Sequence, residues 1–406
     1  MSISAIKPAD ILLPVTEDMT SWAVIACDQF TSEKNYWESL ENNVKGKKTT
    51  LNLILPEIYL DGSEDERIKK INENIREYTE NGVFKTYKNG LILTVRKTPY
   101  SERRIGLIGA LDLEEYEYKS GAKSLVRATE GTIEERIPPR LKIRKDAEVE
   151  FPHIMVLYDD EEKRIGEKAY LQREKYQKVY DFELNMGGGS IEGYFITDTE
   201  PIIKEFERLL DSARLIKKYG SDDKFLFAVG DGNHSLATAK THWENLKKTL
   251  TDEQIKNHPA RYALCEFVNI YDEGIKFEPI YRYCSDIERE TFIKEFVKAV
   301  PMSQIIGDGL IKVSANGNLP ESIKNTDDII KKYVNEKGGK TDYVHGEKNL
   351  ARLVSGDKNS VGILLDSLDK NDLFRYVSKF GALPRKTFSM GEGIEKRYYI
   401  EGRRIK

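Results

Sequence analysis

Phe225-Leu226-Phe227-Ala228-Val229, followed by Gly230-Asp231-Gly232-Asn233-His234 and then by Ser235 to Leu250, is the stretch from which the fold is read. The short apolar run predicts a buried strand. The next residues are polar and contain two glycines, which predicts a loop. Beyond them Leu236, Ala239, Trp243, Leu246 and Leu250 recur at helical spacing on one stripe, which predicts an amphipathic helix. Strand, loop and helix therefore form one unit.

The same alternation extends outward in both directions. Residues 64–80 place Ile68, Ile71, Ile75 and Tyr78 at helical spacing and stop at Asn81-Gly82, a C-terminal cap signal. Leu91 to Val95 and Ile105 to Leu111 read as strands around the turn-prone Thr98-Pro99-Tyr100-Ser101, and Ile154 to Tyr158 reads as a buried strand. Residues 201–218 predict a single helix with Ile202, Phe206, Leu209, Ala213 and Ile216 inward. Two strands, Arg261 to Tyr271 and Phe277 to Cys284, and a helix from Ile287 to Val300 follow. The pattern predicts a mixed α/β fold, a central mixed sheet with flanking helices. Polar breaks near 120–124, 217–223, 301–309 and 335–341 divide the chain. The expected regions are an N-terminal α/β region (1–122), a central region with the Asp-Gly-Asn-His loop (123–300) and a C-terminal region (301–406).

Composition excludes several classes. The 406 residues exceed one small domain. Their net charge of −4, with both signs mixed along the chain, implies no nucleic-acid partner. Cys27, Cys265 and Cys284 lie in apolar stretches without a Cys-x-x-Cys, which reads as buried free thiols in a reducing compartment. The segment Met1 to Pro14 lacks a sustained apolar run, and no uninterrupted apolar stretch is long enough to span a bilayer. The expectation is a cytoplasmic protein without a membrane partner, of open oligomeric state.

A loop between a strand and a helix N-terminus presents backbone N–H groups and the positive end of the helix dipole, a setting that binds anions. Gly230 and Gly232 permit close backbone approach, while Asp231, Asn233, His234 and Ser235 add a carboxylate, an amide, an imidazole and a hydroxyl. The bland alternative is a turn in which Asp231 or Asn233 merely caps the helix. Neither a Walker nor a Rossmann motif is present. His234 and His242 lie about 12 Å apart along a helix axis, too far to chelate one ion. His242 reads as structural.

Other groups gather in two clusters. Arg127-Ala128-Thr129-Glu130-Gly131 through Arg136 to Arg140 mixes guanidinium groups with hydroxyls and carboxylates, with Thr132 and Glu135 spaced as a capping box. A surface turn is the plain alternative. Near the C-terminus, Leu383 to Gly391 carries Arg385, Lys386 and Thr387, and from Arg385 to Lys406 seven basic residues face three acidic ones. That excess reads either as a phosphate patch or as a solvated tail. Glu266 stands in the apolar run Ala263 to Val268, where a carboxylate is costly unless paired or used; an outward-facing glutamate is the alternative.

The loop Val229 to Lys240 resembles the hallmark of the bacterial and archaeal domain-of-unknown-function family 1015, as do Thr129 to Thr132, Arg136 to Arg140, Pro152-His153-Ile154-Met155, Asp342 to Gly346 and Leu383 to Gly391. The family has no agreed activity. Its loop is in turn similar to that of the ParB and sulfiredoxin-like superfamily, which includes nucleotide-dependent free-serine kinases. That resemblance implies a ParB/sulfiredoxin-like core with additional N- and C-terminal elements. It implies a nucleotide whose phosphates sit at the Gly230 loop, with Asp231, His234 and Ser235 at positions that bind phosphate, metal or substrate. The sequence departs at Asn233, where many relatives carry histidine, and at Ser235, where an arginine often stands. Arg140, Arg385 or Lys386 would have to replace that arginine. The reactive cysteine of sulfiredoxin is absent from this loop.

These observations predict a phosphotransferase acting between ATP or ADP and a small hydroxylated metabolite such as a serine-like amino acid. The expected roles are Mg²⁺ on Asp231 and phosphates on Gly230, Gly232, Asn233, Ser235, Arg127, Thr129, Arg136, Arg140, Arg385, Lys386 and Thr387. Asp231, His234, Glu130 and Glu266 are expected to be catalytic, with Glu130 or Glu266 as base, and His345 to bind substrate. A non-catalytic nucleotide sensor, or a metal-dependent hydrolase using Asp231, His234 and His345, stays open.

Overall fold

The computed structural model describes residues 5–31, 33–60, 64–119, 121–131, 137–315 and 317–406. The chain forms two compact units, one of residues 1–275 and 392–406 and one of residues 276–391.

The first unit is built on an 11-stranded mixed sheet. Along it run Gln177–Glu183, Ser190–Ile196, Phe84–Thr98, Ser101–Asp112, Tyr262–Asn269, Met155–Tyr158, Phe227–Asp231, Val126–Ala128 and Tyr116–Glu117. Ile6–Lys7 and Ala9–Pro14 pair at the sides of Ser101–Asp112 and Phe84–Thr98. Successive side chains of a strand point to opposite faces, and both faces here are apolar. Leu91 and Leu93 enter one core with Phe206, Phe227 and Trp243, while Ile92 between them enters the other with Trp22, Trp37 and Ile71. The helices Lys34–Val44 and Glu64–Glu80 bury their apolar stripes in the second of these cores, and Glu200–Arg208 and Asn233–Lys247 bury theirs in the first. The central mixed sheet with flanking helices is as expected.

Most expected elements appear within a few residues of their expected bounds. Residues 201–218 differ. The chain breaks at 209–211 and restarts as Ser212–Tyr219, because Asp211 accepts the Arg214 N–H and caps a new helix. The interruption shifts the phase, so Leu215 is buried and Ile216 is 54 % exposed.

The second unit has a six-stranded sheet ordered Ser303–Gly307, Leu310–Val313, Val361–Leu365, Phe277–Ser285 and Lys340–His345, with Phe388–Met390 also on Phe277–Ser285. After it the chain re-enters the first unit. Tyr398–Tyr399 pairs with Val24–Ile25, and Arg403–Arg404 with Val149–Glu150. The basic C-terminal segment is thus not a solvated tail: Arg397, Tyr399, Glu401 and Arg403 are buried. No described helix is long and apolar enough to cross a membrane. All three cysteines are free thiols, Cys265 and Cys284 buried and Cys27 partly so.

Candidate functional site

The strand Phe227–Asp231 lies between Met155–Tyr158, antiparallel, and Val126–Ala128, parallel. A register shift between Val229 and Asp231 makes Gly230 the irregular residue, and a bulge of this kind re-aims the chain where pairing ends. Gly232 then adopts φ 76° and ψ 27° and caps Asn233–Lys247, hereafter the loop helix, without a side-chain cap bond. A Cβ at Gly232 would stand 3.0 Å from the Ile154 Cα, so both the left-handed backbone and the close approach call for glycine. The capped-turn alternative does not hold at this helix start. Asp231 instead accepts the adjacent Gly232 N–H at 2.9 Å, and the Asn233 Oδ1 is buried without a hydrogen-bond partner.

Asp231 has a second contact. Its Oδ2 lies 3.4 Å from the Lys396 Nζ, both side chains being mostly buried. Lys396 also acts on Asp28, whose Oδ2 lies 3.8 Å from the His153 Nε2 and whose Oδ1 accepts from Gln29. Burial pushes the Asp28 carboxyl up, but His153, the Gln29 hydrogen bond and Lys396 outweigh it and hold the group below its ordinary value. Asp28 is therefore an ionised carboxylate, and its side chain keeps 30 % exposure. The other ring nitrogen of His153 bonds the Tyr399 hydroxyl at 2.7 Å. Cys27 is no nucleophile, since burial and the charge of Asp28 push its thiol up to about 12.

The sequence motifs carry parts of this arrangement. Pro152-His153 and the loop glycines lie in the motifs that carry the family resemblance, whereas Asp28, His153 and Lys396 carry no local signature of a site. Asp28 directly follows the apolar run that ends in Cys27, and Lys396 is one charge among several in the basic C-terminal segment. A carboxylate directly after a buried run was the available signal.

The remaining expected residues divide. Val126–Ala128 runs parallel to Phe227–Asp231, so Thr129 and Glu130 leave the sheet at the same end as Asp231. Thr129, fully buried, donates to the Val229 carbonyl at 2.6 Å and pins that end. His234 and Ser235 lie half-buried in the first turn of the loop helix. Arg140 pairs with Glu57, and with Ser235 it lines a cleft beside the loop helix. Arg127 is committed elsewhere, in a bidentate pair with Asp223 at 2.7 Å and a bond to the Ser124 carbonyl. Arg136, with Thr132 and Glu135, lies outside the described residues.

Glu266 is buried and paired. Its Oε2 receives Arg397 at 3.0 Å and its Oε1 receives Thr94 at 3.1 Å. Burial pushes it up, yet Arg397 and Arg104 hold it below the ordinary glutamate value. At 2 % exposure this carboxylate is the counter-charge of a buried arginine and does not reach a substrate, so it is not the base. His242 is also buried, pushed down to about 4 by burial and the Arg144 charge, as a structural histidine.

Arg385, Lys386, Thr387 and His345 belong to the second unit. There the fully buried Arg282 pairs with Asp327 and donates to the Lys386 carbonyl at 2.9 Å, while Thr387 donates to the Pro384 carbonyl. Arg385 and His345 are exposed. Among the described residues no group of three or more His, Cys, Asp and Glu side chains could hold a metal ion, so the hydrolase alternative has no assembled ligand set there.

Comparison with known proteins gives a family match and distant structural likenesses. No curated protein matches the chain. Among solved structures, a conserved hypothetical protein from Pyrococcus furiosus is 11% identical with a TM-score of 0.34, over 72% of this chain and 93% of that one. A free serine kinase variant in complex with ADP is 8% identical with a TM-score of 0.38, over 73% and 91%. A free serine kinase in complex with AMP is 10% identical with a TM-score of 0.36, over 73% and 90%. The family model described as protein of unknown function (DUF1015) matches residues 6–371, a span that takes in the Gly230 loop, Asp28 and His153, and the chain belongs to that family.

Proposed function

We propose that the chain is a nucleotide-dependent phosphotransferase that moves a phosphoryl group from ATP or ADP to the hydroxyl of a small metabolite. The observation that carries the reading is the convergence of Asp231, Lys396, Asp28 and His153 beside a helix N-terminus that no side chain caps. Phosphoryl transfer asks a protein mainly for positioning and charge stabilisation, and this set supplies an ammonium, outward amides and two carboxylates. Lys396 and the first amides of the loop helix hold phosphate oxygens in this reading. Asp231 is the carboxylate for Mg²⁺, which neutralises phosphate charge. One or two carboxylates with phosphate and water complete the usual Mg²⁺ shell, so a single aspartate fits. Asp28, and not the buried Glu266, takes the base role, because it is ionised and partly open. His153, braced by Tyr399, orients it. Glu130, at the same sheet end, is the second candidate for the base. The similarity of the Gly230 loop to that of the ParB and sulfiredoxin-like proteins agrees with a nucleotide there.

The test is incubation with ATP or ADP, Mg²⁺ and a panel of hydroxylated metabolites including serine, with phosphorylated product read by mass spectrometry. Asp28→Asn should lower turnover by roughly 10² to 10⁴ while nucleotide affinity stays nearly unchanged. Unchanged turnover in Asp28→Asn and its loss in Glu130→Gln would move the base to Glu130. Nucleotide binding without product across the panel would favour the sensor. If neither ATP nor ADP raises the melting midpoint, with or without Mg²⁺, the reading fails.

A further inference from the structure

We propose that the cleft walled by the helix Ile137–Asp146, the segment 53–60 and the loop helix binds a small carboxylate with an apolar body. Its volume is about 150 Å³, and Leu53, Leu55, Ile75 and Ile143 make much of its wall. Arg140, Glu57 and His153 make the rest of the wall polar, and a space of about this size accepts a body as large as benzene. That sets the size and polarity of the body.

The charge is set by Arg144, which lines the same cleft. Its Nη1 lies 2.6 Å from Glu150, but its buried Nε and Nη2 have no hydrogen-bond partner. Nε and Nη2 form the two-donor edge with which a guanidinium grips a carboxylate in parallel bonds. A buried donor left unmade is costly, and a ligand carboxylate removes that cost. Glu150 does not cancel the charge by itself, since it also serves Arg403 at 2.9 Å and the Leu264 N–H at 2.9 Å. One carboxylate thus faces two guanidinium groups. The loop helix contributes Ser235 and Thr238 to the wall, so the cleft adjoins the Gly230 loop. Resting on the phosphotransferase reading, this names the acceptor as a hydroxylated carboxylate with an apolar chain; the binding itself does not depend on that reading.

Titration calorimetry on the full chain, without nucleotide, compares hexanoate and 3-phenylpropanoate with their amides. The acids should bind at least about 10-fold tighter, the usual worth of a charge-assisted pair. Arg144→Lys keeps a cation for Glu150 but loses the fork, and should bring acid and amide to equal affinity. Ala147→Leu, in the cleft wall, should abolish binding of both, its fold checked by tryptophan fluorescence. Equal affinity of acid and amide for the unaltered protein, or no acid binding at all, overturns the inference and leaves the nucleotide test untouched. Displacement of hexanoate by AMP would also overturn it, by making the cleft part of the nucleotide site.

Discussion

Asp231 and Asp28 are both carboxylates beside Lys396, yet their surroundings assign them different work. Asp231 spends one oxygen on the Gly232 N–H and sets the other against the lysine. Asp28 faces an imidazole and stays partly open. If Asp231 holds Mg²⁺, Asp231→Asn should weaken the magnesium-dependent part of nucleotide binding more than the magnesium-free part, because the amide keeps the shape and loses the charge. Thermal shifts over a magnesium series measure this, and identical curves for both proteins would remove Asp231 as a ligand. The sequence exposed Asp231 because four polar groups crowd one loop. It hid Lys396, which reaches Asp231 from a distant part of the chain, and Asp28, on which the same lysine acts. Glu266 shows the reverse: its apolar strand was legible, but whether the carboxylate faces outward, is used or is paired depends on Arg397, far along the chain.

At the scale of elements, the strand, loop and helix at 227–247 formed where apolar runs and spacing predict, because local pattern decides such a unit. The break at 209–211 was not legible, since Asp211 sits inside an otherwise unbroken apolar periodicity and only its cap bond to Arg214 stops the helix. The loop rests on Gly232. Gly232→Ala combines a left-handed backbone with a Cβ 3.0 Å from the Ile154 Cα, whereas Gly46 has a similar φ of 75° and open space around it. Gly46→Ala should therefore cost about 1 kcal/mol from backbone strain alone, and Gly232→Ala roughly 2 to 3 kcal/mol. Urea unfolding of the two variants measures the difference. Equal costs would mean that Ile154 yields and that the loop is looser than its geometry indicates.

For the molecule as a whole, the C-terminal segment matters most, because it returns past the second unit and places Arg397 inside the first. Arg397 holds Glu266 at 3.0 Å and Glu401 at 2.6 Å, and Glu401 also receives the Tyr180 hydroxyl. A basic tail in the sequence thus becomes the cationic centre of a buried network, a role that no local pattern could announce. Removing one carboxylate from such a network should be expensive, and Glu266→Gln is expected to cost about 3 kcal/mol at neutral pH. Its pH dependence follows from the direction of the shift. The folded Glu266 carboxyl is held below 4.5, so its contribution is complete above that value and is lost as pH falls through the folded value. The gap in stability between the unaltered protein and Glu266→Gln should therefore be widest near pH 7 and narrow on acidification below about 4.5. Trp22, Trp37 and Trp243, the three tryptophans of the chain, all lie in the first unit. Fluorescence-detected urea unfolding consequently reads this network without a signal from the second unit. A gap that stays constant from pH 7 to pH 4, or widens, would mean that Glu266 is not held as a carboxylate by Arg397.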